Sequence, residues 1–462
     1  MDPVASSRLL QPSFPQQFIH VSRLSVANTS IIYHNSEALA TCESGPFLTV
    51  ELPTLNTVGW CEFKKCIINR INGRPVSFFE EWATGHPRID PITSELIFFG
   101  SSFLPPYLRY SVVSADGVSY PSLLAAPISI KSPKLMHDFG VSLKHTIILD
   151  LPLSINPFNM LKGNPVVHFD PTVSSRFGIF PRYHPEQIRW FESDPCAIFH
   201  TANTWSDADD VDEFVNMLVC RFKSPKMLYV AGNISPPATM LHNDSDMCHL
   251  FYYRFNISSS NHSIPVCAFT LSAIPFEFPS ISNIASMQDA KYIYGCTMRE
   301  GSFDMSIGGA AKVDCLVRLD VKHLIQKGMK GDMDDKDKNI VDKRSVLEII
   351  TDSNGSNPDD SIKIFVFDEY HFAQECTFVP RKYPRHEADG YLLTYVFDER
   401  QLQSNGMACD TAVSELWIID AANMVDIVGK IRLPQRGLYS RLYSWLTIND
   451  PTTLISTLRP PR

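Results

Sequence analysis

Apolar positions along the chain fall in short runs rich in β-branched and aromatic residues. Thr146–Leu151, Leu250–Phe255, Ile364–Phe367 and Tyr391–Phe397 are of this kind, and Pro, Gly, Asn and Asp punctuate them. Leu416–Asp420 followed by Val425–Gly429 predicts a hairpin, with Ala421 to Met424 as its loop. The 33 prolines leave little room for long helices. Helical pattern is confined to Asp210–Leu218 and a turn over Lys322–Lys327. The Lys- and Asp-rich stretch from Lys327 to Arg344 lacks the Gly and closing Glu offsets of a calcium loop, so it reads as a solvated loop between two strands. The expected fold class is all-β: many short strands with close turns make a sandwich, a barrel or a propeller, and periodicity alone does not choose.

Composition narrows the function classes. At 462 residues there is material for one large β fold or for two or three smaller domains. A net charge of −9 and a pI near 5.9 disfavour a nucleic-acid partner. No apolar run reaches the ~18 residues of a transmembrane helix. Met1 to Phe18 has no basic start followed by an apolar core, so it does not read as a secretory signal. The eleven cysteines are scattered, without a Cys-x-x-Cys pair, and several such as Cys267 and Cys315 sit in strand-like runs. Buried reduced thiols and a cytoplasmic location are the expectation.

Three histidines stand out. His86 lies in Gly85-His86-Pro87-Arg88-Ile89-Asp90-Pro91, His137 in Met136-His137-Asp138-Phe139, and His200 in Phe199-His200-Thr201-Ala202-Asn203. They are 51 and 63 residues apart, too far for a zinc finger or a helical His pair. The spacing suits one ligand per propeller blade, since blades run ~40–50 residues. Imidazoles from separate blades meet only on the axis, and imidazole sites with open positions suit iron. Any one histidine alone is more commonly a plain surface or core residue.

These contexts resemble the carotenoid cleavage oxygenases. Further matching motifs are Pro106-Tyr107-Leu108-Arg109-Tyr110, Ser175 to Arg182, Glu277-Phe278-Pro279, Phe378-Val379-Pro380-Arg381 and Asp389 to Thr394, in the family's order from about Asn28 to Arg436. The resemblance implies a seven-bladed β-propeller with a dome of loops and short helices over the metal face. It implies that His86, His137 and His200 hold Fe(2+). It also implies that Glu43, Glu277 and Glu375 fix the ring orientation of ligand histidines. The implied organisation is an N-terminal extension or remnant over 1–27, the propeller over 28–436, and a non-matching tail over 437–462.

The chain departs from the pattern at both ends. The family's fourth histidine follows a Leu-Pro-x-Arg segment; here Leu433-Pro434-Gln435-Arg436 is present, but the ligand position falls on Leu442 and no histidine follows His386. The Arg-Asn-Gly-Pro and Trp-Phe-Asp-Gly motifs expected upstream are also missing. An incomplete gene reading and a degenerate paralogue both account for this. Either way the closing blade is expected to be incomplete, and the chain to bind iron poorly.

The activity implied is dioxygenase cleavage of a conjugated C=C bond of a carotenoid or apocarotenoid, giving two carbonyl products from O2. The partners are then an apolar polyene and O2, with no organic cofactor. Stilbene-cleaving relatives carry Lys immediately before the first glutamate, where this chain has Cys42. An inactive propeller binding an apolar ligand or partner, and a stilbene-cleaving enzyme, stay open as alternatives. Pro157–Lys162 is an apolar loop with a basic end, suited to peripheral membrane contact.

Overall fold

A computed structural model of the chain describes residues 25, 27–43, 45–61, 82–156, 166–223, 247–258, 263–300, 312–331, 340–353 and 360–436. Among these, six sheets of four or five strands succeed one another along the chain, with a small ribbon of Leu153–Ile155 and Val167–Phe169. The fourth sheet shows the plan. Ala197–Ala208, Glu213–Phe222, His249–Asn256 and Cys267–Ser272 pair antiparallel in chain order. The sixth repeats it with His371–Pro380, Gly390–Asp398, Glu415–Asp420 and Ile427–Arg432. The last two strands form the expected hairpin.

The first strands of successive sheets abut. Gly140–Val141 lies against Ala197–Ala208, that strand against Glu277–Ser280, and that in turn against His371–Pro380. Repeated meanders whose innermost strands meet around a centre make a β-propeller. Six blades are present among the described residues.

The core lies between blades, because a propeller blade buries both faces. On Glu213–Phe222, Val215, Met217 and Val219 pack with Phe139, Phe177 and Tyr253. The intervening Leu218, Cys220 and Phe222 pack on the other side with Phe269, Val317 and Leu324. Two-sided burial gives a near-continuous apolar run, which periodicity cannot tell from a buried helix. That is why Asp210–Leu218 looked helical; its residues from Glu213 onward are strand.

The stretch from Lys327 to Arg344 is also not one solvated loop. A first helix, α1, spans Val321–Lys330 and takes in its start. Asp320 caps α1 by accepting from His323 N at 2.9 Å. Val321, Leu324, Ile325 and Gly328 form its buried stripe. Ile340–Asp342 then pairs parallel to Cys267–Ser272. The ten cysteines among the described residues are all free thiols. Pro157–Lys162 lies outside the described residues.

One buried ion cluster ties blades together. Arg182 is 1% exposed, and its guanidinium donates to Asp90, to Ser142 O and, at 3.4 Å, to Glu95 Oε2. Burial pushes the Asp90 carboxyl up, but the Thr93 N–H, Arg182 and the Ile92 N–H together hold it below its usual range. A depressed carboxylate stabilises the fold above its unfolded pKa of ~3.9. That contribution is lost as pH falls through the folded value. Removing one partner of such a pair strands a buried charge. Arg182→Met should therefore cost about 3–5 kcal/mol in urea denaturation. An unchanged midpoint would show that the cluster does not couple the blades.

Candidate metal centre

The three histidines arrive by different local devices. His86 sits in the turn between Trp82–Ala83 and Arg88–Ile89. Its N–H donates to Thr84 Oγ1 at 3.0 Å, and the preceding Gly85 carbonyl accepts from Thr41 Oγ1 at 2.7 Å. A Cβ on Gly85 would lie 2.6 Å from the Thr29 methyl, so only glycine lets the first blade approach this turn. His137 lies just before Gly140–Val141. His200 sits within Ala197–Ala208 where the register slips between Ile198 and Thr201. This bulge re-aims the side chain away from the regular pleat.

The rings converge. His86 Nε2 is 2.9 Å from His137 Nε2, which is 3.2 Å from His200 Nε2. The three ligand atoms all lie within 4.8 Å of one another. His86 and His200 are buried and His137 is half-buried.

The carboxylates decide the protonation. Glu277 Oε2 accepts from His200 Nδ1 at 2.5 Å, and Glu43 Oε1 meets His137 Nδ1. A neutral ring that donates from Nδ1 carries its lone pair on Nε2. The facing Nε2 atoms of His137 and His200 are then two acceptors at 3.2 Å, a repulsive arrangement unless a cation lies between them. Metal–imidazole bonds of ~2.0–2.2 Å meeting at right angles space neighbouring nitrogens ~2.8–3.1 Å apart. The observed 2.9 and 3.2 Å place the nitrogens close enough to share one ion. The donor set therefore suits a divalent transition metal.

Glu277 and Glu375 share a placement. Each is buried at a register shift on the innermost strand of its sheet, Glu277 before Ser280 and Glu375 between Ala373 and Cys376. Burial and next the Glu375 charge push the Cys376 thiol up to about 12. Cys296 is raised well above its ordinary value by burial and then by the charges of Cys376, Glu375 and Glu277, so both carboxylates face one buried region. Leu442 lies outside the described residues.

Two aromatic residues border the rings. Phe199 packs edge-on to His137 at 5.6 Å, and Phe278 lies 5.5 Å from His200. Phe278 holds φ at +54°, a region non-glycine residues rarely occupy, and its N–H donates to Glu277 Oε2 at 2.5 Å. Sequence reading gave no role to these two, nor to Arg88, Asp138 and Thr201. All five are chain neighbours, within two residues, of a histidine or of Glu277, and that adjacency was the available signal.

Residues 5–440 match the family described as retinal pigment epithelial membrane protein. The chain belongs to that family. Among relatives of this retinal pigment epithelial membrane protein family, the carotenoid dioxygenase carX of Gibberella fujikuroi is 41% identical over 493 residues, covering 93% of this chain and 70% of the relative. The carotenoid 9,10(9',10')-cleavage dioxygenase 1 of Arabidopsis thaliana is 30% identical over 420 residues, covering 89% and 65%. The chain thus spans about two thirds of the length of these relatives. The crystal structure of Pseudomonas brassicacearum lignostilbene dioxygenase superposes with a TM-score of 0.65 at 22% identity, covering 90% of this chain and 74% of that one, which supports the propeller fold.

Glu277→Gln should leave His200 without its carboxylate acceptor. Metal affinity should fall ~10–100-fold, as for other outer partners of ligand histidines. Calorimetric titration of metal-free protein reads this directly, and equal affinity in the variant would remove Glu277 from the site.

Proposed function

We propose that His86, His137 and His200 hold one Fe(II) ion, and that the protein uses it with O2 to cleave a conjugated C=C bond of a carotenoid or apocarotenoid. The observation that carries this reading is the convergence of imidazole lone pairs, enforced by Glu277 and Glu43, in a member of this family. On the same reading the six sheets are six blades of a seven-bladed ring, residues 28–436 form the catalytic unit, and the protein works in the cytoplasm, where its thiols stay reduced.

Bound there, Fe(II) would supply the place where O2 is activated, and both oxygen atoms would end in the two carbonyl products. The protein's residues do the rest. Neutral imidazoles leave the ion its full positive charge. Glu277 and Glu43 retain the Nδ1 protons and fix the ring planes. Phe199 and Phe278 supply apolar walls that favour a polyene and disfavour water. Cys42 is buried, its sulfur 3.0 Å from Ser25 Oγ, and offers no amine to a phenol. This favours a polyene over a stilbene.

Anaerobic Fe(II) loading followed by carotenoid and 18O2 tests the reading. At saturating Fe(II), which offsets the weak binding expected of three imidazoles, one iron per chain and one 18O in each carbonyl fragment are expected, and His200→Ala should lose both iron and product. A chain that binds no Fe(II), or forms no labelled fragments, would favour an inactive propeller instead.

A further inference from the structure

The three rings come from segments far apart in sequence, yet one ion requires their nitrogens to be fixed together. Their chain neighbours meet in a single hydrogen-bonded cluster. Arg88 is two residues beyond His86, Asp138 follows His137, and Thr201 follows His200. Arg88 Nη2 donates to Asp138 Oδ1 at 2.8 Å, to Asp138 Oδ2 at 2.6 Å and to Thr201 Oγ1 at 2.7 Å. It also lies 3.2 Å from Thr201 O. Asp138 Oδ2 accepts from Thr201 N at 2.8 Å and lies 3.0 Å from Thr201 Oγ1. Asp138 Oδ1 takes the N–H of Phe139 at 2.8 Å.

We infer that Arg88, Asp138 and Thr201 are positioning residues that set the mutual spacing of His86, His137 and His200. Three features support this. Asp138 is 2% exposed and Arg88 24%, so the pair is shielded and sensitive to geometry, unlike a surface pair. Ala197–Ala208 ends its sheet, so the Thr201 N–H beside the bulge needs a partner from outside, and Asp138 is that partner. The short links leave each ring little freedom: Pro87 alone separates His86 from Arg88, and the other two pairs are adjacent. Charge-assisted bonds of this kind are short and stiff. The inference rests on the proposed function for the identity of the ion, whereas the ring spacing is a property of the chain itself.

Thr201 offers the cleanest test, because its two conservative replacements separate hydroxyl from methyl. Thr201→Val keeps shape and β-branching but loses the hydroxyl; Thr201→Ser does the reverse. Co(II), a spectroscopic probe, would be titrated into metal-free wild type and both variants, with melting temperatures recorded alongside. Thr201→Val should weaken Co(II) binding about tenfold and shift its visible bands, and Thr201→Ser should restore wild-type behaviour. Equal affinity and unshifted bands in Thr201→Val would overturn the inference. So would a loss in Thr201→Ser greater than in Thr201→Val, which would mark methyl packing. If wild type itself takes up no Co(II) or Fe(II), the proposed function fails. Crystal structures of metal-free wild type and Thr201→Val then decide the positioning role: a wider His137–His200 nitrogen separation in the variant sustains it, and an unchanged one ends it.

Discussion

The site depends on where two protons sit. Because Glu277 and Glu43 take the Nδ1 hydrogens of His200 and His137, the opposite nitrogens face inward with bare lone pairs. Such a cluster has the donor set to hold a cation. Everything around it can be understood as the cost of holding acceptors against one another: a bulge under His200, a buried carboxylate behind it, and a left-handed Phe278 beside it. Local strain concentrated at one point, with regular pleated sheet elsewhere, is the usual signature of a functional centre.

The architecture supplies the stiffness for this. The fourth blade shares its core with both neighbours, as the alternation of Met217 and Leu218 into separate clusters shows. A displaced inner strand would disturb two cores at once, and close-packed interiors resist such shifts. Bulges at His200, Glu277 and Glu375 are therefore held in place by the ordinary strands behind them.

Much of this was legible in the residues. The strand-rich pattern, the hairpin at Leu416–Gly429 and the short helix near Lys322 follow from local propensity and turn chemistry. His86, His137 and His200 were readable because their neighbours form recognisable motifs, and the structure brings the three together. What escaped notice did so for physical reasons. Glu213–Phe222 is buried on both faces, which erases the period-two signal. The extension of the helix near Lys322 to Lys330 escaped because its buried stripe is set by tertiary contact. The Arg88–Asp138–Thr201 cluster spans 113 residues, and no local pattern encodes a contact that closes only when three sheets assemble.

The sulfur around the carboxylates has a chemical consequence of its own. A thiol such as Cys376, pushed up to about 12, is ionised in only ~1 molecule in 10⁵ at neutral pH, and it is the thiolate that oxidants attack. Cys296 lies beside it and is held protonated more strongly still. On the proposed function, O2 at the centre would expose adjacent thiolates to oxidation to sulfenic and sulfinic acids. Burial first and the neighbouring carboxylates second hold these cysteines as thiols. Burial and the neighbouring carboxylates Glu375 and Glu277 thus make these thiols poor targets for oxidants.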